Sequence, residues 1–248
     1  MQFKIFGSVV LAAVATGLAA SAAQASFVAQ FSADGGPITS FTGTGGYISQ
    51  SNFTVGSFSI GNYTAQSDSG SSQTPQISAF SVDVTNSNPS TVTDVLDINL
   101  WDTGFAPPGS LLTLAGSGSV TFNVAANGDS ATFQSGADPA DGQFSLSTVA
   151  PPVLTPASSA TYTTGMPLPI TIPLSQQTAT FSPNGTNPFS MGNNLELSLA
   201  GGSNVTLSYT TTAVPEPATL GLLAVGGLGL LVGKRRKRGG SPRNGAGS

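Results

Sequence analysis

Apolar and polar residues alternate with period two in short runs along the middle of the chain, and Gly, Asn, Pro and Ser separate these runs. Successive side chains of a strand point to opposite faces, so this pattern predicts strands that are buried on one face. The clearest runs are 77–84, 92–101, 120–126, 143–149, 170–174, 177–181, 195–199 and 205–211. Between residues 26 and 213 no amphipathic helical pattern occurs, and about ten such strands predict an all-β fold, an antiparallel β-sandwich or jelly roll.

The connections between these runs predict one domain rather than two. Gly201 to Asn204 separates the last two runs and is typical of a hairpin turn. The Pro- and Ser-rich stretch 151–159 is interpreted as a long loop within the domain. Residues 26–213 are therefore predicted to form a single β-sandwich ectodomain.

Charge is scarce and unevenly placed. Charged residues make up 7% of the chain, and residues 26–213 contain ten acidic side chains but no Lys, Arg or His, which gives this stretch a side-chain charge of −10. Such a surface repels nucleic acid and has no cationic side chain to bind a phosphate. The chain also has no Cys and no His, which excludes disulfides, Cys/His zinc sites and serine triads with a His base.

The N-terminus has the pattern of a secretory signal peptide. Lys4 precedes an apolar run that extends to Ala20, and Ala23 and Ala25 then place small residues in a small-x-small cleavage pattern. The pattern predicts a signal peptide over residues 1–25 and a mature chain that begins at Ser26. An uncleaved anchor or a buried helix is the alternative.

The C-terminus has three consecutive parts. Val214-Pro215-Glu216-Pro217 precedes the apolar run 218–233, and a basic cluster follows, consisting of Lys234, Arg235, Arg236, Lys237 and Arg238. As a helix the 16-residue run would extend ~24 Å, somewhat less than the ~30 Å hydrocarbon core, a difference that snorkelling cations can bridge. Residues 218–233 are therefore predicted to be a transmembrane helix with the basic cluster in the cytoplasm and residues 26–213 outside. A buried core helix is the alternative.

This order of motif, short apolar helix and basic cluster, behind a signal peptide, resembles the PEP-CTERM proteins. The resemblance covers residues 214–238 and implies that Pro215, Glu216 and Pro217 are recognised by an exosortase, a membrane enzyme whose cleavage would release the ectodomain. It also implies export to the cell surface or to an exopolysaccharide and biofilm matrix. Residues 239–248 extend beyond the family's usual end and are predicted to be a disordered tail, and a plain tail anchor is the rival interpretation.

No catalytic residues are predicted. Asp102-Thr103-Gly104 and Asp68-Ser69-Gly70 match the aspartic-protease tripeptide, but they are too close in sequence for one to lie in each lobe, so both are interpreted as turns. Glu196 alternates with Leu195 and Leu197 and should face water, and no carboxylate pair of the glycosidase type is marked out.

Three binding possibilities remain open. The acidic turns 127–129 and 138–142 could contribute ligands to calcium, although ordinary solvated turns are favoured and no metal site is predicted. Trp101 with Phe105 could stack on a sugar, although a lone Trp is more often core. The favoured function is a structural, non-catalytic surface or matrix protein. The alternative is a module that binds extracellular glycan or, less favoured, ice, since Thr42 to Thr44 and Thr161 to Thr164 are too sparse for an ice face.

Overall fold

Thirteen strands and no helix make up the regular structure of the residues described by the computed structural model, which are 26–69, 74–143 and 153–216. The strands are β1 (Val28–Ala33), β2 (Thr39–Thr42), β3 (Tyr47–Val55), β4 (Phe58–Ser67), β5 (Gln76–Asn86), β6 (Thr93–Phe105), β7 (Leu112–Val124), β8 (Ser130–Asp138), β9 (Val153–Leu154), β10 (Ser158–Thr161), β11 (Ile170–Phe181), β12 (Phe189–Ala200) and β13 (Asn204–Pro215).

The strands form two sheets in which every pairing is antiparallel. Sheet I has the order β10-β8-β12-β6-β1-β2, with β9 also paired to β8, and sheet II has the order β11-β7-β13-β5-β4-β3. The predicted all-β sandwich is confirmed. The predicted signal peptide and the predicted membrane helix over 218–233 lie outside the described residues. Among the residues that are described, no helix is long and apolar enough to cross a bilayer.

The alternating positions of the central strands form the core between the sheets. Leu195, Leu197 and Leu199 of β12 are fully buried, and the side chains between them are polar. Aromatic rings fill the space towards β3, where Phe31 contacts Phe53 and Tyr63 edge to face at centroid distances of 5.1 and 4.9 Å. Burying each such large apolar side chain stabilises the fold by about 1.5–3 kcal/mol, so the period-two pattern determines which strand faces point inwards.

The predicted hairpin at Gly201 to Asn204 is wrong, because β12 belongs to sheet I and β13 to sheet II. The turn instead carries the chain from one sheet to the other. Asn86 at the end of β5 holds this turn: its carbonyl accepts from the Gly202 N–H at 2.8 Å, its N–H donates to the Ser203 carbonyl at 2.9 Å, and its Nδ2 donates to the Leu199 carbonyl at 2.7 Å. These three bonds satisfy backbone groups that a hairpin ladder would otherwise have paired.

Two further connections differ from the sequence-based expectations. The predicted runs 170–174 and 177–181 are one strand, β11, with a register shift between Leu174 and Gln177 against β7. The stretch expected to be a long loop, 151–159, contains β9 and the start of β10, because both pair with β8. The predicted strand 143–149 lies outside the described residues apart from Gln143, which is in no strand.

Candidate functional site

The predicted sorting tripeptide begins at Pro215, the final residue of β13 in sheet II. In the pairing of β13 with β7, Val214 lies opposite Thr113 and Pro215 lies opposite Leu112. The Glu216 N–H then donates to the Leu111 carbonyl at 3.2 Å, and the Thr113 hydroxyl donates to Glu216 Oε1 at 3.4 Å. Sheet II therefore holds two of the three residues, while Pro217 and the basic cluster Lys234, Arg235, Arg236, Lys237 and Arg238 lie outside the described residues.

Proline is tolerated at position 215 because β5, which pairs with β13 on one side, does not extend as far as this residue. On one side of β13, β5 begins at Gln76 opposite Thr212, and the Ala213 N–H bonds to the carbonyl of Pro75 at 2.9 Å. Strand N–H groups alternate in direction, so an N–H at position 215 would point to that side, beyond Pro75. Proline has no N–H, and this position therefore loses no ladder hydrogen bond.

The predicted signal-peptide cleavage point, directly before Ser26, also adjoins the β-sandwich. Ser26, the predicted first residue of the mature chain, is the first residue that the structure describes, and its N–H donates to the Thr103 hydroxyl at 2.9 Å. Ala23 and Ala25 lie outside the described residues. The predicted cleavage point would thus leave a mature chain whose first residue is already hydrogen-bonded to β6.

The Asp102 carboxyl group is enclosed within the fold. Its Oδ1 accepts from the N–H of Thr103 at 2.8 Å, while its Oδ2 is buried without a hydrogen-bond partner. Burial raises the pKa of Asp102, the nearby hydroxyls of Ser67 and Ser69 oppose that rise, and the charge of Asp141 adds to it. Asp68, the other tripeptide aspartate, accepts from the Gln76 N–H at 2.6 Å. Asp68 follows the end of β4, consistent with its interpretation as a turn residue, whereas the interpretation of Asp102-Thr103-Gly104 as a turn is wrong, because these residues lie inside β6.

The structure brings Glu196 beside a second carboxylate, which the sequence did not mark out as its partner. Glu196 of β12 lies opposite Asp97 of β6 on the outer face of sheet I, and Glu196 is exposed as predicted. Desolvation raises the pKa of Asp97, and the negative charges of Glu196 and Asp34 raise it further. Glycosidases place paired carboxylates across a substrate cleft, whereas these two side chains lie side by side on a strand face. Only the register between β6 and β12 brings them together, and no short-range pattern encodes that register.

The acidic turns use their oxygens to hold the backbone. Asp129 is buried, and its Oδ2 accepts from the Ala126 N–H at 2.7 Å and the Ser203 hydroxyl at 2.6 Å, while its Oδ1 accepts from the Ala200 N–H at 2.8 Å. Asp138 accepts from the N–H groups of Ala140 and Gly142 within its own turn. The described part of the chain brings together no group of three acidic side chains that could hold a metal ion.

Trp101 is a buried residue, as the favoured interpretation expected, and the less favoured possibility, that Trp101 and Phe105 stack on a sugar, is wrong. Trp101 is 4% exposed and packs with Val28, and Phe105 is 1% exposed and contacts the ring of Phe189. Neither ring is available to a ligand from solvent, so the favoured interpretation, that the lone Trp is part of the core, is the correct one.

Two other aromatics are exposed on the outer face of sheet II. Tyr47 is 50% exposed and lies opposite Gln66, and Phe80 is 42% exposed and lies opposite Thr64. A surface groove on this face, called here the β3–β5 groove, is lined by Gln66, Ser67, Asp68, Gln76, Ser78 and Phe80, and Tyr47 lies beside it, opposite Gln66. Sequence reasoning missed this groove because it considered only the single Trp as a ligand platform, although Tyr47 precedes the alternating run Ile48 to Gln50.

Comparisons with known proteins add one specific match. The family model for the PEP-CTERM protein-sorting motif matches residues 213–237. The comparison with curated proteins found no match. Among solved structures, TmCBM61 in complex with beta-1,4-galactotriose is similar at 8% identity and a TM-score of 0.25, over 60% of this chain and 86% of that chain. A TM-score this low carries no argument about function, so the sorting motif is the informative result.

Proposed function

Because residues 213–237 are a PEP-CTERM protein-sorting motif, we propose that this chain is an exported, structural and non-catalytic protein of the cell surface or extracellular matrix. Its precursor is anchored in the membrane by residues 218–233, and an exosortase-type enzyme recognises Pro215, Glu216 and Pro217 and releases the ectodomain. The observation that carries the proposal is the position of the motif at the end of the last core strand, since β13 ends at Pro215. Everything that folds as a sandwich therefore lies on one side of the processing point.

The composition of the ectodomain supports a structural role. Two apolar clusters of the described residues, one large and one smaller, lie between the sheets, and Asp94 and Asp129 are bound by neutral donors of the same fold. The only titratable cationic group that processing would add is the new N-terminus at Ser26, so phosphate- and carboxylate-clamping chemistry has no side chain to perform it. Such a domain can persist outside the cell without disulfides because its core is large enough to be stable alone.

The intact mass of the protein purified from its own cells tests this proposal. Processing predicts a product that begins at Ser26 and ends within the tripeptide or directly before it. Trypsin provides a simple check on the product, because residues 5–233 contain no Lys or Arg and the released ectodomain should remain uncut even when unfolded. A mass that retains Lys234 to Ser248 would contradict release and would indicate a simple tail anchor.

Glycan binding by the same ectodomain is the second candidate function. The observation that favours it is the pair of exposed aromatics, Tyr47 and Phe80, on one face of sheet II. Large aromatic rings are normally buried in a soluble domain, and exposed ones on one face often mark a binding surface. An ice-binding role is less supported, because the outer face of sheet II is interrupted by the register shifts in β4, β5 and β11.

A further inference from the structure

We propose that the β3–β5 groove, together with Tyr47, binds a neutral polysaccharide along the outer face of sheet II. The proposal rests on the second candidate function, glycan binding, and assigns it a site and a class of ligand. Tyr47 and Phe80 are the two aromatic side chains among the large exposed hydrophobics of the described residues; Phe80 lines the groove, and Tyr47 lies opposite Gln66, which also lines it.

The sheet geometry sets the spacing of the two rings. Tyr47 lies opposite Gln66, Gln66 lies opposite Ser78, and Phe80 is two residues further along β5 on the same face. Two strand spacings of ~4.8 Å and one two-residue step of ~6.8 Å place the two Cα atoms ~12 Å apart. That separation suits an extended oligosaccharide that contacts both rings better than a single sugar.

The polar groups between the rings match the hydroxyl groups of a sugar. Gln66 and Gln76 are exposed, and each side chain carries both an amide donor and an amide acceptor, while the buried Ser78 hydroxyl is taken up by hydrogen bonds from Gln76 and Thr210. The face of an aromatic ring carries partial negative charge and attracts the polarised C–H groups on one side of a pyranose. With Phe80 in its lining and Tyr47 beside it, the groove combines aromatic and polar groups, as small-ligand sites do.

The charge of the groove determines which glycans it can accept. Residues 26–213 contain no Lys, Arg or His, so no charge-assisted hydrogen bond to a carboxylate or sulfate group is available. The groove also contains the carboxylate of Asp68, which repels an anionic chain. A neutral polysaccharide therefore fits the groove, and an acidic one does not.

Affinity electrophoresis of the mature protein, purified from the cells that make it, tests the site. The gels contain cellulose derivatives, xylan, mannan or galactan as neutral probes and alginate as the anionic probe. We expect retardation by at least one neutral polysaccharide and about tenfold weaker binding when Tyr47→Ala and Phe80→Ala are combined. Tyr47→Phe should retain binding because it keeps the ring, and Val124→Ala, which shortens an exposed apolar side chain on β7, is the matched control.

The possible outcomes separate the site from the function. Retardation of the wild type that the double variant leaves unchanged would overturn the groove as the site while glycan binding stands. No retardation by any neutral polysaccharide would overturn both glycan binding and the groove. Retardation by alginate alone, or binding of peptides from a library in place of glycans, would overturn the assignment of a neutral polysaccharide. Equal thermal midpoints for wild type and variants establish that all of them are folded.

Discussion

The pairing of Pro215 and Glu216 with β7 predicts that the folded sandwich competes with the processing enzyme for its own sorting motif. A membrane enzyme that reads three consecutive residues needs them free of the sheet. We therefore expect that inserting Gly-Ser-Gly-Ser between Val214 and Pro215 accelerates processing, because the intact tripeptide then lies beyond the reach of β7. The sequence of the tripeptide and of everything after it is unchanged in this variant.

The expected size follows from the contacts that the insertion removes. Beyond Val214 the described residues of the motif, Pro215 and Glu216, make one backbone hydrogen bond, from Glu216 to Leu111 at 3.2 Å, and one long side-chain bond, from Thr113 to Glu216 at 3.4 Å. At ~0.5–1.5 kcal/mol for an ordinary hydrogen bond, the two hold the motif on the sheet by about 1–2 kcal/mol. The free fraction, and with it the apparent affinity of the enzyme, then rises about 5- to 30-fold in the variant.

Pulse-chase labelling in the cells that make the protein measures this rate as conversion of precursor to released product. The matched control carries the same four residues after Gly185, in the exposed turn between β11 and β12, and should be processed at the wild-type rate. An unchanged or slower rate for the variant with the insertion before Pro215 would refute the competition. It would mean that the enzyme accepts the motif while it is paired, or that only residues after Glu216 matter.

Three further predictions concern the ectodomain. Asp129→Ala leaves two N–H groups and one hydroxyl without an acceptor at a buried site, so the free energy of unfolding measured in urea should fall by at least about 3 kcal/mol. Asp138→Ala, in a more accessible turn, should lower it by about 1 kcal/mol. Equal losses would contradict the role of Asp129. The raised pKa of Asp97 means that the folded state holds its proton more tightly, so stability falls as pH rises above about 4. Asp97→Asn should therefore raise the thermal midpoint at pH 7 but not at pH 3, and equal shifts at the two pH values would contradict this cause. Sodium chloride should raise the wild-type midpoint, because it screens repulsion among ten acids with no cationic side chain between residues 26 and 213. A midpoint that falls between 0.01 and 0.5 M salt would contradict that account.

The period-two pattern predicted which side chains of β12 are buried, because burial of alternate side chains is a local property of the sequence, whereas β1, β3, β4 and β8 coincide with none of the predicted runs. Leu195, Leu197 and Leu199 are buried and Glu196 is exposed, as their alternation predicts. The same pattern could not predict which sheet each strand joins, since both sheets offer an apolar inner face. The turn after β12 leads to sheet II and is held by hydrogen bonds to Asn86. Asn86 is more than a hundred positions from Leu199 in the sequence, and no feature of the turn sequence indicates that partner.

The exposed aromatic Phe80 shows a second limit of the pattern. Ile77 and Ala79 point inwards, but the next inward residue is Val82, so the alternation slips by one residue at Ser81. Ser81 has a φ of +52°, and its backbone absorbs the slip. The slip leaves Phe80 on the outward face of β5, beside the polar residues Gln76 and Ser78. An apolar side chain therefore lies in the β3–β5 groove. The run 77–84 contains the irregularity, but only the register with β4 shows what lies beside it.

The ectodomain uses neutral donors where other domains use ion pairs, and this connects its composition to its exported state. Ser57 donates to Asp94 at 2.7 Å and Asn88 donates to it at 2.9 Å, and these bonds lower the pKa of Asp94 without any cation. Asp129 is held in the same way by backbone N–H groups and a hydroxyl. Salt screens an exposed ion pair but leaves such hydrogen bonds largely unaffected. A protein sorted out of the cell meets changing ionic strength, and a fold held by hydrogen bonds and apolar packing keeps the same contacts throughout.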